Sequence, residues 1–268
     1  MKIPVSVIVV TKNEEMNIKR CLEALDDFAQ IIVVDSRSQD RTCDIARSCG
    51  AQIIDFDWDG AYPKKRQWCL DQVNTGHEWI LFIDADEVMT PLLATAIKEC
   101  LSEDTDNYAG FFIEGRYIWQ GHVLKYGLTN NKIALIHKAR MGFPVIDDLD
   151  IEGMDEIEGH YQPVIIGDDK SYMVGQCARF LEHHINDRDS WLARHQRYAR
   201  WEAGMNQRKS WPQDPRAVRQ CLKQIFRRLP FRHVAAFLHS YIFKMGFLDG
   251  KPGYDFAKSR AVYYKMIT

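Results

Sequence analysis

The stretch Trp79-Ile80-Leu81-Phe82-Ile83-Asp84-Ala85-Asp86 decides how this chain is read. Its first five residues are apolar without interruption, the pattern of a strand buried on both faces. Two carboxylates, one residue apart, then stand at the strand's C-terminal end, where open α/β sheets bind ligands. Carboxylate oxygens are hard ligands that suit Mg²⁺ or Mn²⁺, and such ions are commonly completed by substrate phosphates. The segment therefore reads as a place to hold a metal-bound diphosphate. An isolated Asp-X-Asp also caps helices and decorates turns, so the surrounding sequence has to decide.

Upstream, Val5 to Val10 is a β-branched run that stops at Thr11-Lys12-Asn13-Glu14-Glu15. Asn13 is placed to cap a following helix with apolar positions Met16, Ile18, Cys21, Leu22 and Leu25. Ile31 to Val34 is a second buried strand ending at Asp35, and Ala51 to Ile54 is a third. Helices are predicted through Ile45 and Ala46 and over Lys65 to Val73. This alternation predicts an α/β fold with a mainly parallel, Rossmann-like sheet covered by helices on both faces. It also sets Asp35 and Asp84 on one edge of the sheet. The rhythm is lost over residues 108–170, where Tyr108 to Ile113 and Lys132 to His137 read as strands, antiparallel in sense. Residues 190–208 are helical, and Trp211-Pro212-Gln213-Asp214-Pro215 breaks the chain. Two regions are expected: a catalytic domain over 1–210 and a basic, aromatic, helical C-terminal region over 211–268.

The chain has 268 residues and 46% hydrophobic content, enough for a packed core. A net charge of −2 removes any global case for nucleic acid as a partner. The seven cysteines are scattered without a C-x-x-C pair, against a zinc site or disulfide framework and in favour of a reducing compartment. The N-terminus runs straight into a strand without a signal-peptide pattern. No run approaches the roughly 18 apolar residues of a membrane-spanning helix.

Three motifs in order, Val5–Glu14, Val33–Thr42 and Phe82–Glu87, resemble the family 2 glycosyltransferases, which have the GT-A fold. His184 through Ala203 and Tyr241 through Gly250 resemble the branch containing the lipopolysaccharide-core β-glucosyltransferases. The resemblance implies a role for each matching residue. Asp35 would accept the imide N–H of uracil from a UDP-sugar; a capping Asp is the competing reading. Thr11 and Glu14 would line the nucleotide pocket, Glu14 taking ribose hydroxyls, unless Glu14 is simply a first-turn glutamate favoured by the helix dipole. Lys65, within Lys64-Lys65-Arg66, would approach the sugar-nucleotide, although any one of the three also reads as a solvated surface residue. Asp86 would bind Mn²⁺ or Mg²⁺ directly, with Asp84 on the ribose or on the metal through water. A late histidine, His183 or His184, would join the metal, and His184 is the one assigned; imidazole suits Mn²⁺ better than Mg²⁺.

Inverting transfer needs a carboxylate to take the acceptor's proton. Met154-Asp155-Glu156-Ile157-Glu158-Gly159-His160 resembles the family's His-Glu segment, with Asp155 in the histidine slot. Glu156 is the expected base, followed by Asp155 and then Glu152. Trp119, His122 and Tyr126 would stack on acceptor sugar or belong to an ordinary packed loop. From Arg216 to Lys244, Arg219, Lys223, Arg227, Arg228, Arg232 and Lys244 interleave with large apolar residues, a pattern for an anionic membrane surface or for helices packing on the core. The implied whole is a metal-dependent transferase moving a hexose from a nucleotide-sugar to a glycolipid or polysaccharide hydroxyl. It would be cytoplasmic and peripheral on the inner membrane face. The rivals are a nucleotidyltransferase, disfavoured because Thr11–Glu15 lacks a glycine-rich phosphate loop, and a non-catalytic nucleotide- or sugar-binding module.

Overall fold

In the computed structural model, residues 2–158, 161–167, 171–211, 214 and 217–267 are described. They form two compact units. The first takes in residues up to Gly115, Asn130–Phe143 and Pro163–His183; the second takes in Arg116–Thr129, Pro144–Gln162 and the chain from His184 onward. The units are thus divided in space by segments that interleave along the chain, whereas the sequence reading divides the chain once, near residue 210.

The first unit opens with β1 (Ile3–Thr11), α1 (Ile18–Glu23), β2 (Phe28–Asp35), α2 (Thr42–Ser48), β3 (Gln52–Asp55), α3 (Lys65–Gln72) and β4 (Trp79–Asp84). Then follow β5 (Glu87–Val88), α4 (Pro91–Ser102) and β6 (Tyr108–Trp119), whose last residues enter the second unit beside β7 (His122–Val123). β8 (Asn130–His137), β9 (Met141–Gly142), β10 (Val164–Ile165) and β11 (Met173–Ile185) complete the strands. The sheet order is β3-β2-β1-β4-β8-β6-β11-β5. β3, β2, β1 and β4 are mutually parallel, as the alternation of strands and helices requires. The strands expected in the region of broken rhythm, β6 and β8, are antiparallel.

Both faces of the parallel half are buried, which explains the unbroken apolar runs. Val5, Val7 and Val9 of β1 lie in one core cluster with Leu81 and Ile83. Ile8 lies in another with Ile32, Val34, Ile80 and Phe82 on the opposite face. The sequence reading missed α4, the long β11 and the short strands β5, β7, β9 and β10. Met16, expected on the buried side of the first helix, is exposed and precedes it.

The second unit holds α5 (Arg188–Arg208), α6 (Ala217–Arg228), α7 (Arg232–Leu238) and α8 (Gly250–Met266). A π-helical turn (His239–Phe243) and a 3-10 turn (Gly246–Asp249) join the last two. Its core gathers Trp119, Trp191, Phe256 and Tyr263. Pro212, Gln213, Pro215 and Arg216 of the expected break and tail lie outside the described residues.

Candidate active site

β1 and β2 run in register to their last residues, so Thr11 and Asp35 end side by side. The loops beyond them are stitched together. Asn13 N–H donates to Ser38 Oγ at 2.8 Å, Gln39 N–H to Asn13 Oδ1 at 2.8 Å and Glu14 N–H to Thr42 Oγ1 at 2.8 Å. Asn13 can do this because it takes a left-handed conformation (φ 55°) that asparagine tolerates. It does not cap the first helix as expected: α1 starts after Asn17, which makes no side-chain cap bond. Asp35 is 1% exposed, and its carboxylate accepts from Ser38 N–H at 2.7 Å and from Ser38 Oγ. That is the turn-capping geometry. A carboxylate has about four lone-pair sites, so capacity for a further donor remains. Burial, and then the negative charge of Asp35, push the Cys43 thiol up to about 11.

Lys64 and Lys65 are buried, which corrects the solvated-surface reading. Lys65 Nζ donates to the Thr11 carbonyl at 2.8 Å and to Ser36 Oγ at 2.6 Å, so this ammonium fastens the strand ends to each other. The Thr11 hydroxyl is buried with no hydrogen-bond partner. A buried polar atom without a partner is costly and marks a place where a ligand group would be satisfied.

At the end of β4 the acidic residues are neutralised from within. Arg66 Nη2 lies 2.5 Å from Asp84 Oδ1, and Lys132 Nζ lies 3.1 Å from Asp84 Oδ2 and 2.6 Å from Glu87 Oε2. Glu87 Oε2 also accepts the Asp84 N–H at 2.9 Å. Burial pushes the Asp84 carboxyl up, but Lys132 and Arg66 outweigh it and hold the group far below the usual carboxylate range. Burial likewise lowers the Lys132 ammonium while Asp84 and Glu87 raise it further, for a net rise.

Asp86, 4% exposed, faces the histidine of β11. His183 pairs with Glu87 across β11 and β5; its Nε2 is 3.8 Å from Asp86 Oδ2 and its Nδ1 is 3.6 Å from Glu87 Oε1. Burial lowers the His183 pKa, Asp86 and Glu87 raise it more, and the net shift is upward. Successive strand side chains alternate faces, so the histidine beside the acids is His183, and His184, the one assigned from sequence, follows it on the other face. Asp86 and His183 offer one hard oxygen and one imidazole nitrogen, a donor set that fits a Mn²⁺-like ion. Among the described residues no group of three or more His, Cys, Asp or Glu is arranged to hold a metal. Two such donors leave the remaining positions of a cation open to other oxygen ligands.

Glu87 and Lys132 had no assigned role from sequence. The signal for Lys132 was present: a lysine heading the apolar run Ile133-Ala134-Leu135-Ile136 is almost never buried unless paired.

The expected bases belong to the second unit, on a turn-rich segment packed against α5. Gly153 holds φ 119°, and a Cβ there would stand 2.1 Å from the Arg197 carbonyl oxygen, so only glycine fits. Met154 is buried, Glu156 half-buried, and Asp155 exposed in a left-handed conformation (φ 45°). Glu152 is exposed, 3.5 Å from Arg200 Nη1. Gly159 and His160 of the same motif lie outside the described residues. Trp119 ends β6 and is packed in the core with Trp191 and Phe256, while His122 and Tyr126 are exposed.

The sequence model of Glycosyl transferase family 2 matches residues 6–148. An uncharacterized glycosyltransferase of Rickettsia bellii is 34% identical over 112 residues, 41% of this chain and 37% of that protein. The lipopolysaccharide core biosynthesis glycosyltransferase LpsC of Rhizobium meliloti is 29% identical over 140 residues, 49% of this chain and 48% of that protein. The chain thus spans less than half the length of these curated relatives. Among solved structures, glucosyl-3-phosphoglycerate synthase from Mycobacterium tuberculosis, in complex with Mn²⁺, UDP-glucose and glycerol 3-phosphate, is similar at a TM-score of 0.34 and 22% identity. That likeness covers 42% of this chain and 44% of the other.

Proposed function

The chain belongs to glycosyl transferase family 2, with the GT-A fold, and we propose that it is an inverting, divalent-cation-assisted hexosyltransferase with a UDP-linked donor. The observation that carries this reading is the edge formed by β1, β2 and β4. There the unpartnered Thr11 hydroxyl, the buried Asp35 carboxylate and the Asp84–Asp86 pair end three adjacent parallel strands.

In this reading Asp35 accepts the uracil N–H, Thr11 and Glu14 hold the nucleoside, and Lys65 keeps the two strand ends in place. Asp84, held in place by Arg66 and Lys132, meets the ribose. A Mn²⁺ or Mg²⁺ ion held by Asp86 and His183 would supply charge against the negative charge growing on the leaving diphosphate. Glu156 takes the proton of the acceptor hydroxyl, with Asp155 and Glu152 as alternatives. The acceptor is a sugar hydroxyl of a glycolipid or polysaccharide; the similarity to the lipopolysaccharide core biosynthesis glycosyltransferase of Rhizobium meliloti supports that class. A lipid-carried acceptor calls for a protein working at the anionic inner face of the membrane, and no described helix is long and apolar enough to cross one.

The test is release of UDP from a panel of UDP-sugars with Mn²⁺ and candidate acceptors. Asp86→Ala is expected to abolish transfer and Mn²⁺ binding while leaving the circular-dichroism spectrum unchanged. Full transfer by Asp86→Ala in the presence of EDTA would refute the assignment.

A further inference from the structure

α6 packs Phe226 against Tyr264 and wears its aliphatic residues on the outside. Val218, Leu222 and Ile225 recur at spacings of four and three, which places them on one helical face, and they are 75%, 61% and 54% exposed. Leu229 and Phe231 continue the exposed series past the helix end, and Phe243 joins it after α7. The basic residues of the same segment turn inward. Arg219 Nε and Lys223 Nζ lie 3.2 Å and 2.6 Å from the buried Asp214 Oδ2. The Arg227 guanidinium sits 3.6 Å over the Trp211 ring, and Arg232 Nη1 is 3.5 Å from the buried Glu202 Oε1. A helix packed on a core in water shows the reverse polarity, and contiguous exposed apolar surface of this kind marks an interaction site.

Charge identifies the occupant. From 217 to 248 the chain has no Asp or Glu, and Arg228 and Lys244 remain exposed beside the apolar side chains. A second copy docked on this face would set these cations against their own counterparts with no carboxylate to meet them. An anionic lipid surface satisfies both the apolar face and its cations.

We propose that the outward face of α6 and the turn at Phe231 insert at the headgroup–acyl boundary of an anionic membrane. This deepens the peripheral-membrane reading above and changes its physics. The lipid-facing charges expected from sequence are largely committed inside the protein, so attachment rests on inserted apolar side chains with Arg228 and Lys244 as accessory contacts.

Sedimentation of the full chain with mixed phosphatidylglycerol–phosphatidylethanolamine vesicles tests the proposal. Wild type is expected to pellet and to remain largely bound in about 1 M NaCl, where the screening length is about 3 Å. L222D/I225D is expected to lose about tenfold or more in partitioning with unchanged thermal unfolding, because both side chains are already exposed. R228S/K244S is expected to lose about fivefold per charge, and only at low salt. Complete release of wild type by salt, together with wild-type pelleting of L222D/I225D, overturns insertion while leaving electrostatic membrane binding intact. Absence of pelleting even at low salt overturns the peripheral-membrane reading itself. A wild-type dimer that L222D/I225D converts to monomer, with pelleting unchanged, assigns the face to a second copy and also overturns the proposal.

Discussion

Replacing Lys132 with methionine removes the ammonium that joins Asp84 to Glu87 and leaves the chain's length and apolar stem in place. Lys132 Nζ is 2.6 Å from Glu87 Oε2, and the Glu87 side chain is fully buried, so that carboxylate loses its counter-charge in a dry environment. Breaking a buried pair from one side costs about 3–5 kcal/mol. Asp84 adds less, because its carboxylate is 34% exposed and keeps Arg66 at 2.5 Å. The wild-type contribution is constant through neutral pH: the folded lysine titrates above its ordinary value, so its stabilisation is complete below that value and fades only as pH rises through the raised one. Equilibrium urea unfolding at neutral pH should therefore show a loss of about 3–5 kcal/mol for Lys132→Met. Lys132→Met/Glu87→Gln should recover most of it, since the amide is uncharged and can still accept the Asp84 N–H. A loss of less than about 1 kcal/mol, the worth of an exposed pair, or a double variant no better than the single one, would refute this account of the acidic cluster.

Asp35→Ala is expected to weaken UDP binding by about 1.5–3 kcal/mol, the range for hydrogen bonds to charged groups; calorimetry with unchanged affinity would remove Asp35 from the base pocket. Glu156→Gln is expected to lower kcat by about 10²-fold or more with donor affinity kept, and a silent Glu156→Gln beside an inactive Asp155→Asn would move the base by one residue. His183 has a folded pKa above its ordinary 6.5, so its charge stabilises the metal-free protein below the unfolded value, and that contribution is lost as pH rises through the folded one. Thermal unfolding across that window should decline for wild type and be flatter for His183→Gln; equal slopes would show that the imidazole does not sense Asp86 and Glu87.

The parallel half of the fold was legible because both faces of its strands are buried, and that leaves an unbroken apolar run in the sequence. β11 was not, because its side chains from Met173 to Ile185 alternate irregularly between exposed and buried and include Arg179, Glu182 and two histidines. Asp35, Asp84 and Asp86 could be read as strand-end residues for the same reason that the strands could. Lys132 and His183 could not, because they come from two distant strands, and only the pairing of β4 with β8 and of β5 with β11 brings them to the acids. Choosing between His183 and His184 depended on the register of β11, where a slip of one residue exchanges the faces.

The C-terminal helices show a different kind of illegibility. Periodicity reports that a helix has two faces; it does not report which one meets the protein. The apolar positions of α6 look the same whether they point into a core or away from it. What orients the helix is the presence of charged partners inside: Asp214 and Glu202 are buried carboxylates, and each needs a cation. Arg219 and Lys223 answer the first and Arg232 the second. Satisfying Asp214 turns the basic side of α6 inward, and Val218, Leu222 and Ile225 are then left facing out. The inversion of α6 follows from an acidic residue outside the helix, Asp214, and a reading confined to the helix's own sequence assigns the same residues the opposite sides.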